Sequence, residues 1–471
     1  MMDLYPDLCV IGAGAGGLTV AAGASRMGAR TVLIEAYRMG GECLNTGCVP
    51  SKALIAASRI AHAIRLGPRF GIEVGPARVD YRAVAGHLVE TIAALAPQDS
   101  QERFTDLGCT VLRARARFID DRTVEAGDQR VRARRFVVAT GSRPHMPPIP
   151  GLTEAAPFTN ETIFAHGASI DHLVVLGGGP IGCELAQAYR RLGSRVTIVE
   201  KANLLPRDDP EMVAVVRSAL AGDGITLHEN TSVLAVRGRA GDVAVLLDQS
   251  APPIRCSHVL VAAGRQPNIE DLGLDLAAVA CTAAGIVVDA RQRTSNRRIY
   301  AVGDVSGGPQ FTHLAAHQAG IVLSNALFRL PARTDLRAIP RVTFTDPEIA
   351  QVGQSEAEAR QTHDAIKVLR AAVSGNDRAR TERREDGLIK VVTTSRGRVL
   401  GASIVGPQAG EIVALWILAV QQRLHIGAIA RMVAPYPTLA ELGKGAAGEY
   451  YAATLFGQRT RRLIRLLAFL G

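Results

Sequence analysis

The chain is poor in the features that mark membrane-spanning and secreted proteins. Its longest uninterrupted apolar run, residues 412–420, is far shorter than the roughly 20 residues that a membrane-spanning helix needs. The first residues, MMDLYPDL, carry acidic groups and lack the apolar stretch of a secretory signal. Seven cysteines in 471 residues are too few for a scaffold held by disulfides. We therefore expect no membrane span and a location in the reducing cytoplasm.

The excess of basic over acidic residues does not by itself identify a partner. The formal net charge is +10, but arginines are scattered among acids through most of the chain, so we expect no nucleic-acid partner. One local concentration lies at residues 459–469, where four arginines are mixed with leucine, isoleucine and phenylalanine. We interpret it as a terminal helix that packs on a partner subunit with solvated arginines. A helix that lies on a membrane surface is the alternative.

Glycine, in contrast, is placed in a pattern that occurs twice. Each copy predicts a buried strand, a glycine-rich turn, a helix, and a second strand that ends at an acid, Glu35 in the first copy and Glu200 in the second. The strands are predicted at residues 8–11 and 30–34 in the first copy and at 173–176 and 195–199 in the second, where the helix is predicted to end at Leu192. The acid follows the third glycine by 18 residues in both copies. The glycines are Gly12, Gly14 and Gly17 in the first copy and Gly177, Gly179 and Gly182 in the second. Such a turn lets the backbone approach a pyrophosphate and the acid bind ribose hydroxyls, so two bound dinucleotides are predicted.

Two of the few cysteines lie close together, at Cys43 and Cys48. An ideal helix would hold Cα atoms five residues apart at about 8–9 Å, whereas a disulfide needs about 4.4–6.8 Å. The pair can therefore close only where the backbone bends, and Gly47 and Pro50 permit a bend. Two thiols near a helix start and near Lys52 are expected to have lowered pKa values, as in a redox pair. The alternatives are two buried structural cysteines or half of a zinc site, and no second pair at ligand spacing follows.

The segment GGECLNTGCVPSK, residues 40–52, resembles the redox-active disulfide signature of the class I pyridine nucleotide–disulfide oxidoreductases. These flavoproteins include dihydrolipoamide dehydrogenase, glutathione reductase and mercuric reductase. Further segments of that family recur in order over nearly all of the chain. They are residues 139–144 (ATGSRP), 263–268 (AGRQPN), 299–304 (IYAVGD) and 342–348 (VTFTDPE).

The resemblance implies an α/β fold with two Rossmann-like dinucleotide-binding domains and a C-terminal α+β dimerisation domain. It places the FAD-binding domain at residues 1–145 and 268–337, the NAD(P)-binding domain at 146–267 and the dimerisation domain at 338–471. A homodimer follows from the last of these, in which a helix is predicted at residues 411–422. By the same resemblance FAD binds the first glycine turn and a nicotinamide nucleotide the second.

The resemblance also assigns residues to the site. Cys43 and Cys48 form a redox-active disulfide, with Cys48 against the flavin and Cys43 towards the substrate. The other residues that it implies act at the cofactors: an ion pair of Lys52 and Glu184 beside the flavin N5, Asp304 at the ribityl chain, Ala315 near the ring, Ala116 at the adenine end, and Thr140, Gly141 and Gly264 in the matching motifs. A carboxylate at Glu200 favours NADH over NADPH, although Lys201 lies beside it.

The chain departs from the family at two places. Where the lipoamide and glutathione enzymes carry a His-Pro-Thr-x-x-Glu motif, it reads Tyr436-Pro-Thr-Leu-Ala-Glu441, so a phenol stands at the position of the acid–base histidine. A phenol with a reference pKa near 10 is a poor base for a thiol at neutral pH. Mercuric reductases resemble the chain in this tyrosine, yet they also carry a C-terminal cysteine pair, and here no cysteine follows Cys281.

The predicted function is a relay from NADH through FAD and the Cys43–Cys48 disulfide to an acceptor that is a disulfide, a soft metal ion or a quinone-like oxidant. The rival interpretation is a redox-sensing flavoprotein that docks on a protein or membrane partner without steady turnover. No bound metal is expected. The remaining cysteines are each expected to be buried: Cys9, Cys109, Cys183, Cys256 and Cys281.

Overall fold

A computed structural model of the chain describes residues 2–75, 77–248 and 252–469. The chain forms two compact units. Unit one contains Met1–Gly177, Ala188–Val199 and Thr231–Asp335, and unit two contains Gly178–Gln187, Glu200–Asn230 and Leu336–Gly471. The domain limits near residues 145, 267 and 337 stay predictions.

The helices of the described chain include short and long members. The α-helices are α1 (Ala15–Arg26), α2 (Gly41–Asn45), α3 (Cys48–Leu66), α4 (Tyr81–Leu95), α5 (Gln101–Asp106), α6 (Pro180–Leu192), α7 (Pro210–Gly222), α8 (Thr312–Ala326), α9 (Glu356–Thr362), α10 (Asp377–Thr381), α11 (Ala409–Gln421), α12 (Ile426–Ala430), α13 (Glu441–Leu455) and α14 (Gln458–Ala468). Short 3₁₀ helices are Gly67–Phe70, Ala96–Asp99, Ile163–Ala165, Gly303–Ser306 and Val373–Gly375. Among the helices of the described residues, none combines the length and the apolar character that crossing a membrane requires.

The strands of the described residues occur partly between helices and partly in uninterrupted runs, such as those at residues 109–144 and 226–301. They are β1 (Met2–Leu4), β2 (Leu8–Ile11), β3 (Thr31–Ile34), β4 (Cys109–Leu112), β5 (Ala116–Phe118), β6 (Val124–Ala126), β7 (Gln129–Val131), β8 (Arg135–Val138), β9 (Ser142–Pro144), β10 (His172–Leu176), β11 (Arg195–Val199), β12 (Thr226–His228), β13 (Val233–Arg239), β14 (Asp242–Leu247), β15 (Ile254–Cys256), β16 (His258–Val261), β17 (Arg265–Pro267), β18 (Cys281–Thr282), β19 (Gly285–Ile286), β20 (Ile299–Ala301), β21 (Arg341–Thr343), β22 (Glu348–Gly353), β23 (Ile366–Ala372), β24 (Leu388–Thr394) and β25 (Val399–Gly406).

Unit one is built on a parallel sheet with the strand order β20-β8-β2-β3-β4. Strand β2 (LCVI) lies at its centre with every residue buried, and β3 (TVLI) beside it is equally buried. Continuous apolar runs of this kind are typical of parallel strands that are covered on both faces. The strands predicted at residues 8–11 and 30–34 are confirmed, the second starting one residue later.

A second set of parallel strands in unit one repeats this plan. Strand β10 pairs in parallel with β11 on one side and with β16 on the other. The strands predicted at residues 173–176 and 195–199 and the helix predicted to end at Leu192 are confirmed. The duplicated glycine pattern therefore does follow a strand and open a helix in each copy.

The C-terminal part of unit two is an antiparallel sheet with the order β21-β22-β25-β24-β23. All residues of β25 are buried, and helices α7, α11 and α13 pack against the sheet. Trp416 on α11 is fully buried in this core. The predicted α+β character of the C-terminal region is confirmed, and the helix predicted at residues 411–422 is α11.

Candidate redox and nucleotide-binding site

Cys43 and Cys48 lie on two separate helices. Helix α2 carries Cys43 and ends at Asn45, and helix α3 begins at Cys48 itself. The backbone turns at Gly47, where a Cβ atom would lie 3.0 Å from the carbonyl oxygen of Glu42 and 3.2 Å from the Cα atom of Cys43. The bend that the disulfide needs is therefore present at Gly47. Pro50 lies in the first turn of α3, where its missing N–H leaves no helical bond unmade.

In the structure Cys43 and Cys48 are not joined by a disulfide bond, and Cys43 is half-buried and Cys48 exposed. The pKa of Cys43 is raised, first by its hydrogen bond with Cys48 and then by burial. The expectation of a lowered pKa for both thiols is therefore wrong for Cys43, because the neighbouring sulfur and not the lysine or the helix has the largest effect. Thiols that share a hydrogen bond lose their protons one after the other. The hydrogen bond with Cys48 and burial both favour the protonated form of Cys43.

Cys48 stands where a thiolate is favoured. It is the first residue of α3, and its Sγ atom lies 3.5 Å from Oγ1 of Thr312, the first residue of α8. The start of a helix carries partial positive charge, which stabilises a nearby anion. If Cys48 is ionised, the Thr312 hydroxyl must donate in this contact. Thr312 was not among the predicted site residues, because 264 residues separate it from Cys48.

Glu42, directly before Cys43, belongs to a hydrogen-bonded network that fixes α2. Arg265 donates to both carboxylate oxygens of Glu42, and its Nε donates to Oγ of Ser142 at 2.9 Å. Asn160 donates from its side chain to Glu42 at 2.6 Å and to the carbonyl of Thr46 at 3.0 Å. Burial raises the pKa of Glu42, while Arg265 acts in the opposite direction. The sequence did not identify this network, since its members lie more than 100 residues apart.

The first glycine turn has the shape that a dinucleotide pyrophosphate needs. Gly12 has φ of 104°, and a Cβ atom on it would lie 2.4 Å from the carbonyl oxygen of Ala139. Gly14 precedes α1 as its N-cap residue, and a Cβ atom on Gly17 would overlap the Gly12 carbonyl. The turn therefore exposes backbone at the start of a helix, the usual place of a bound phosphate.

The second glycine turn repeats the geometry of the first. Gly177 has φ of 114°, and its Cβ atom would lie 2.4 Å from the carbonyl oxygen of Ala262. Gly179 has nothing within 4 Å of the position of a Cβ atom, which leaves room beside it. Gly182 lies in the first turn of α6. The same local shape, built twice from similar sequence, fits two dinucleotides.

The acids at the strand ends also correspond. Glu35 accepts a hydrogen bond from the backbone N–H of Ala13 at 2.6 Å and one from Tyr37 at 2.7 Å. Glu200 accepts from Gly178 at 2.6 Å and from Ala202 at 2.8 Å. Each carboxylate is thus held by its glycine turn and by the residue two positions on. Each oxygen keeps a lone pair that can accept a ribose hydroxyl.

The other residues predicted to lie at the cofactors, Gly264 of the nicotinamide domain among them, have defined positions in unit one. Thr140 donates its hydroxyl to the carbonyl of Asn268 at 2.7 Å, and Gly141 accepts from the backbone of Asn268 at 3.0 Å. Asp304 accepts from the hydroxyl of Ser142. Ala116 begins β5, and Ala315 is buried on α8. The carbonyl of Gly264 accepts a hydrogen bond from the backbone N–H of His145 at 2.9 Å. Their contact with a cofactor stays a prediction.

Lys52 and Glu184 were predicted to pair. Lys52 is half-buried on α3. Glu184 is buried on α6 and accepts a hydrogen bond from the backbone N–H of Phe344 at 2.9 Å. The residues belong to different units, and their pairing stays a prediction.

Tyr436 takes a partner that the sequence did not indicate. Its hydroxyl donates to Oδ2 of Asp377 at 3.1 Å, and it is 71% exposed. This hydrogen bond and the negative charge of Asp377 raise the pKa of Tyr436. Glu441, the expected orienting group, begins α13 and accepts instead from the backbone N–H of Thr438 at 3.4 Å. Tyr436, Asp377 and Glu441 line one cavity of about 380 Å³ with Asn376 and other residues.

The single cysteines follow the prediction with one exception. Cys9, Cys109, Cys183 and Cys256 are buried, whereas Cys281 is exposed. The prediction is wrong for Cys281 because it begins β18, a two-residue strand whose residues both face solvent. Apolar sequence neighbours do not bury a residue in so short a hairpin.

Comparison with known proteins agrees with these features. The family described as pyridine nucleotide-disulphide oxidoreductase matches residues 6–319, and its dimerisation domain matches residues 339–447. Mercuric reductase of Streptomyces lividans is 36% identical over 94% of this chain and 95% of its own length. Dihydrolipoyl dehydrogenase of Thermus scotoductus is 34% identical over 92% of this chain and 95% of its own length. Among solved structures, the Cu(II) complex of the HOCl-induced flavoprotein disulfide reductase RclA from Escherichia coli superposes with a TM-score of 0.84 at 27% identity, covering 92% of this chain and 98% of that one.

Proposed function

This chain belongs to the pyridine nucleotide-disulphide oxidoreductase family, and we propose that it passes two electrons from NADH, by way of the Cys43–Cys48 pair, to a soft metal ion. The matched relatives make it an NAD(P)H-dependent flavin disulfide oxidoreductase with a dimerisation domain. FAD, when bound, supplies the chemistry that joins a two-electron nicotinamide donor to a dithiol. The chain's own residues bind the nucleotides, determine which thiol of the pair is protonated and determine which acceptor is reduced.

The two glycine turns are the binding elements for the nucleotides. In the first, Gly12, Gly14 and Gly17 bring the start of α1 to a pyrophosphate and Glu35 accepts from a ribose. Further contacts to FAD are assigned to residues 116, 140, 141, 304 and 315. In the second turn, Gly179 and Gly182 take the pyrophosphate of the nicotinamide nucleotide at the start of α6. The spacing of turn and acid, repeated in hydrogen-bond detail, supports this assignment.

NADH is the proposed donor because of how Glu200 is held. The carboxylate accepts hydrogen bonds from the backbone N–H groups of Gly178 and Ala202. Moving it away would break both hydrogen bonds. A fixed carboxylate accepts the 2′-hydroxyl of NADH and repels the 2′-phosphate of NADPH. Lys201 is exposed and directly follows it. We therefore expect a preference for NADH.

The thiol pair divides its tasks by proton affinity. Cys43, whose pKa is raised, keeps a proton in the reduced pair, while the helix start and Thr312 favour the thiolate of Cys48. A soft metal ion that bridges both sulfurs must displace the proton of Cys43 to solvent. The overall balance is one NADH oxidised to NAD⁺ and one proton released for each divalent ion reduced to the element.

Tyr436 is the residue from which we infer the acceptor. Reduction of a disulfide acceptor needs a group that acts as base and acid near neutral pH, because the leaving thiolate must be protonated. The phenol of Tyr436, with its pKa raised by Asp377, stays protonated there and does not serve as that base. A metal acceptor leaves no thiol to protonate. The tyrosine therefore favours the metal, in line with the relatives that are named mercuric reductases.

A homodimer completes the proposal, since the matched dimerisation domain carries Tyr436 and Glu441. In the family's arrangement these residues act at the thiol pair of the partner subunit. We propose that the ion reaches the pair from small thiol complexes in the cytoplasm. Hg(II) is the reference substrate for a test.

Anaerobic NADH oxidation with a panel of acceptors tests this function. The panel is Hg(II) in excess small thiol, lipoamide, glutathione disulfide and a quinone. The proposal predicts that Hg(II) supports the fastest turnover and that Tyr436→His accelerates a disulfide acceptor. Fast lipoamide turnover by the unmodified protein would reject the metal assignment while leaving the family intact.

A further inference from the structure

Helix α14 carries exposed apolar side chains that the other described residues do not cover. None of the residues of α14, which the structure describes from Gln458 to Ala468, is buried. Ile464 is 60% exposed, Leu466 62% and the following Phe469 92%. Leu455 and Phe456, at the end of the preceding helix, are also exposed. Residues 455–469, which carry these exposed apolar side chains, are called the C-terminal patch.

Three arginines and three apolar side chains of α14 lie on opposite faces, and Arg459 and Leu466 lie together at one boundary between these faces. At about 100° per residue, Arg461, Arg462 and Arg465 fall on one side of the helix. Leu463, Ile464 and Leu467 fall on the other. The residues of this face are 53–60% exposed. The helix is therefore amphipathic without a core to pack on.

The segment is ordered with respect to the helix before it. Thr460 donates its hydroxyl to the carbonyl oxygen of Thr454 at 2.6 Å, which ties α14 to the end of α13. The backbone N–H of Arg461 bonds to the carbonyl of Gly457 at 3.1 Å. The apolar face is thus presented on a connected helix.

The charge of the segment indicates which kind of partner covers its apolar side chains. Residues 450–469 include four arginines and no aspartate or glutamate. A copy of this helix could cover the apolar face, but it would leave the arginines of both chains without a carboxylate from either segment. Anionic lipid offers both complements, since its phosphates accept from guanidinium groups and its acyl chains accept apolar side chains. Eleven residues span about 16 Å, which suits a helix that lies in the interface and is too short to cross a bilayer.

We propose that residues 455–469 dock the protein on the surface of an anionic lipid bilayer, with Leu463, Ile464 and Leu467 inserted and the arginines at the phosphates. This inference is independent of the acceptor and of the proposed function. Because one arginine near an anionic surface is worth about 1 kcal/mol, each arginine removed should weaken binding about fivefold. Binding should also fall with salt, since surface charges are screened.

Co-sedimentation of the purified full chain with vesicles tests the docking. The vesicles contain phosphatidylcholine alone or with phosphatidylserine, at low and high salt. We expect binding to the anionic vesicles alone, abolished by Leu463→Asp with Leu467→Asp. The triple change of Arg461, Arg462 and Arg465 to Gln should reduce it by about two orders of magnitude.

Matched controls separate the patch from general surface effects. The exposed leucines Leu234 and Leu330, each changed to Asp, should leave binding unchanged. Sedimentation velocity and FAD content of every variant establish that the fold and assembly are intact.

Two outcomes overturn the proposal. Absence of binding to anionic vesicles at low salt is the first. The second is that the parent does not bind lipid and that the Leu463→Asp, Leu467→Asp variant changes its oligomeric state. This result would show that the patch contacts a second copy of the chain.

Discussion

The hydroxyl of Tyr436 donates a hydrogen bond to Oδ2 of Asp377 at 3.1 Å. The position that holds an acid–base histidine in the lipoamide and glutathione enzymes is thus occupied by a phenol whose proton is retained by a carboxylate. The partner is Asp377, the first residue of α10, and not Glu441 of the same motif. This arrangement supports an acceptor that needs no proton from the protein.

Asp377→Asn is expected to lower the pKa of Tyr436 towards its ordinary value. The negative charge of Asp377 opposes ionisation of the phenol, and the variant removes that charge. Ultraviolet titration of tyrosinate checks this, with the Tyr436→Phe protein subtracted to isolate one of eight tyrosines. An unchanged titration would show that the contact with Asp377 does not control the phenol.

Glu200→Ala is expected to narrow the preference for NADH over NADPH. The variant removes both the acceptor for the 2′-hydroxyl and the charge that repels the 2′-phosphate, and a lost hydrogen bond to a charged group costs about 1.5–3 kcal/mol. The measurement is kcat/KM with each nucleotide. Lys201→Ala is the control and should leave the NADH value near that of the parent. An intrinsic preference for NADPH in the parent would contradict the role of Glu200.

Alkylation of the reduced pair should distinguish the two thiols. Cys48 is expected to react with iodoacetamide at lower pH than Cys43, whose pKa is raised by its hydrogen bond with Cys48 and by burial. Thr312→Val should shift the reaction of Cys48 to higher pH, because the hydroxyl no longer donates to the thiolate. Peptide mass spectrometry after alkylation across pH assigns each site. Earlier reaction at Cys43 would reverse the assigned roles.

Arg265→Ala is expected to destabilise the protein by about 3 kcal/mol, because it leaves the half-buried carboxylate of Glu42 without its cation. The loss should shrink on acidification. Burial raises the pKa of Glu42, and a protonated Glu42 no longer needs the arginine. Urea unfolding at several pH values measures both effects.

The control for this prediction is Arg255→Ala, which breaks the ion pair of Arg255 with Asp242. The side chains of this pair are 77% and 86% exposed. Exposed pairs contribute about 0–1 kcal/mol, so the change should be small. An equal loss in both variants would mean that the Glu42 network has no special part in stability.

The sequence predicted those parts of the molecule that depend on local patterns. Strand β2, its glycine turn and Glu35 are close in sequence, and each residue type is required by backbone shape or by hydrogen bonding, so they could be read directly. The contact of Arg265 with Glu42 spans 223 residues and depends on tertiary packing. The pKa of Cys43 was misjudged because its largest cause is the side chain of Cys48, whose orientation no spacing reveals. Asp377 was missed for the same reason.

The account depends most on Tyr436, and one measurement tests it directly: anaerobic NADH oxidation by the parent and by Tyr436→His, each with Hg(II) in excess thiol and with lipoamide. The account predicts faster turnover with Hg(II) in the parent. It also predicts that Tyr436→His raises the lipoamide rate, within the about 10²–10⁴ that general acid–base catalysis supplies, and leaves the Hg(II) rate flat or lower. Lipoamide turnover that exceeds Hg(II) turnover in the parent, with no gain in the variant, would contradict it.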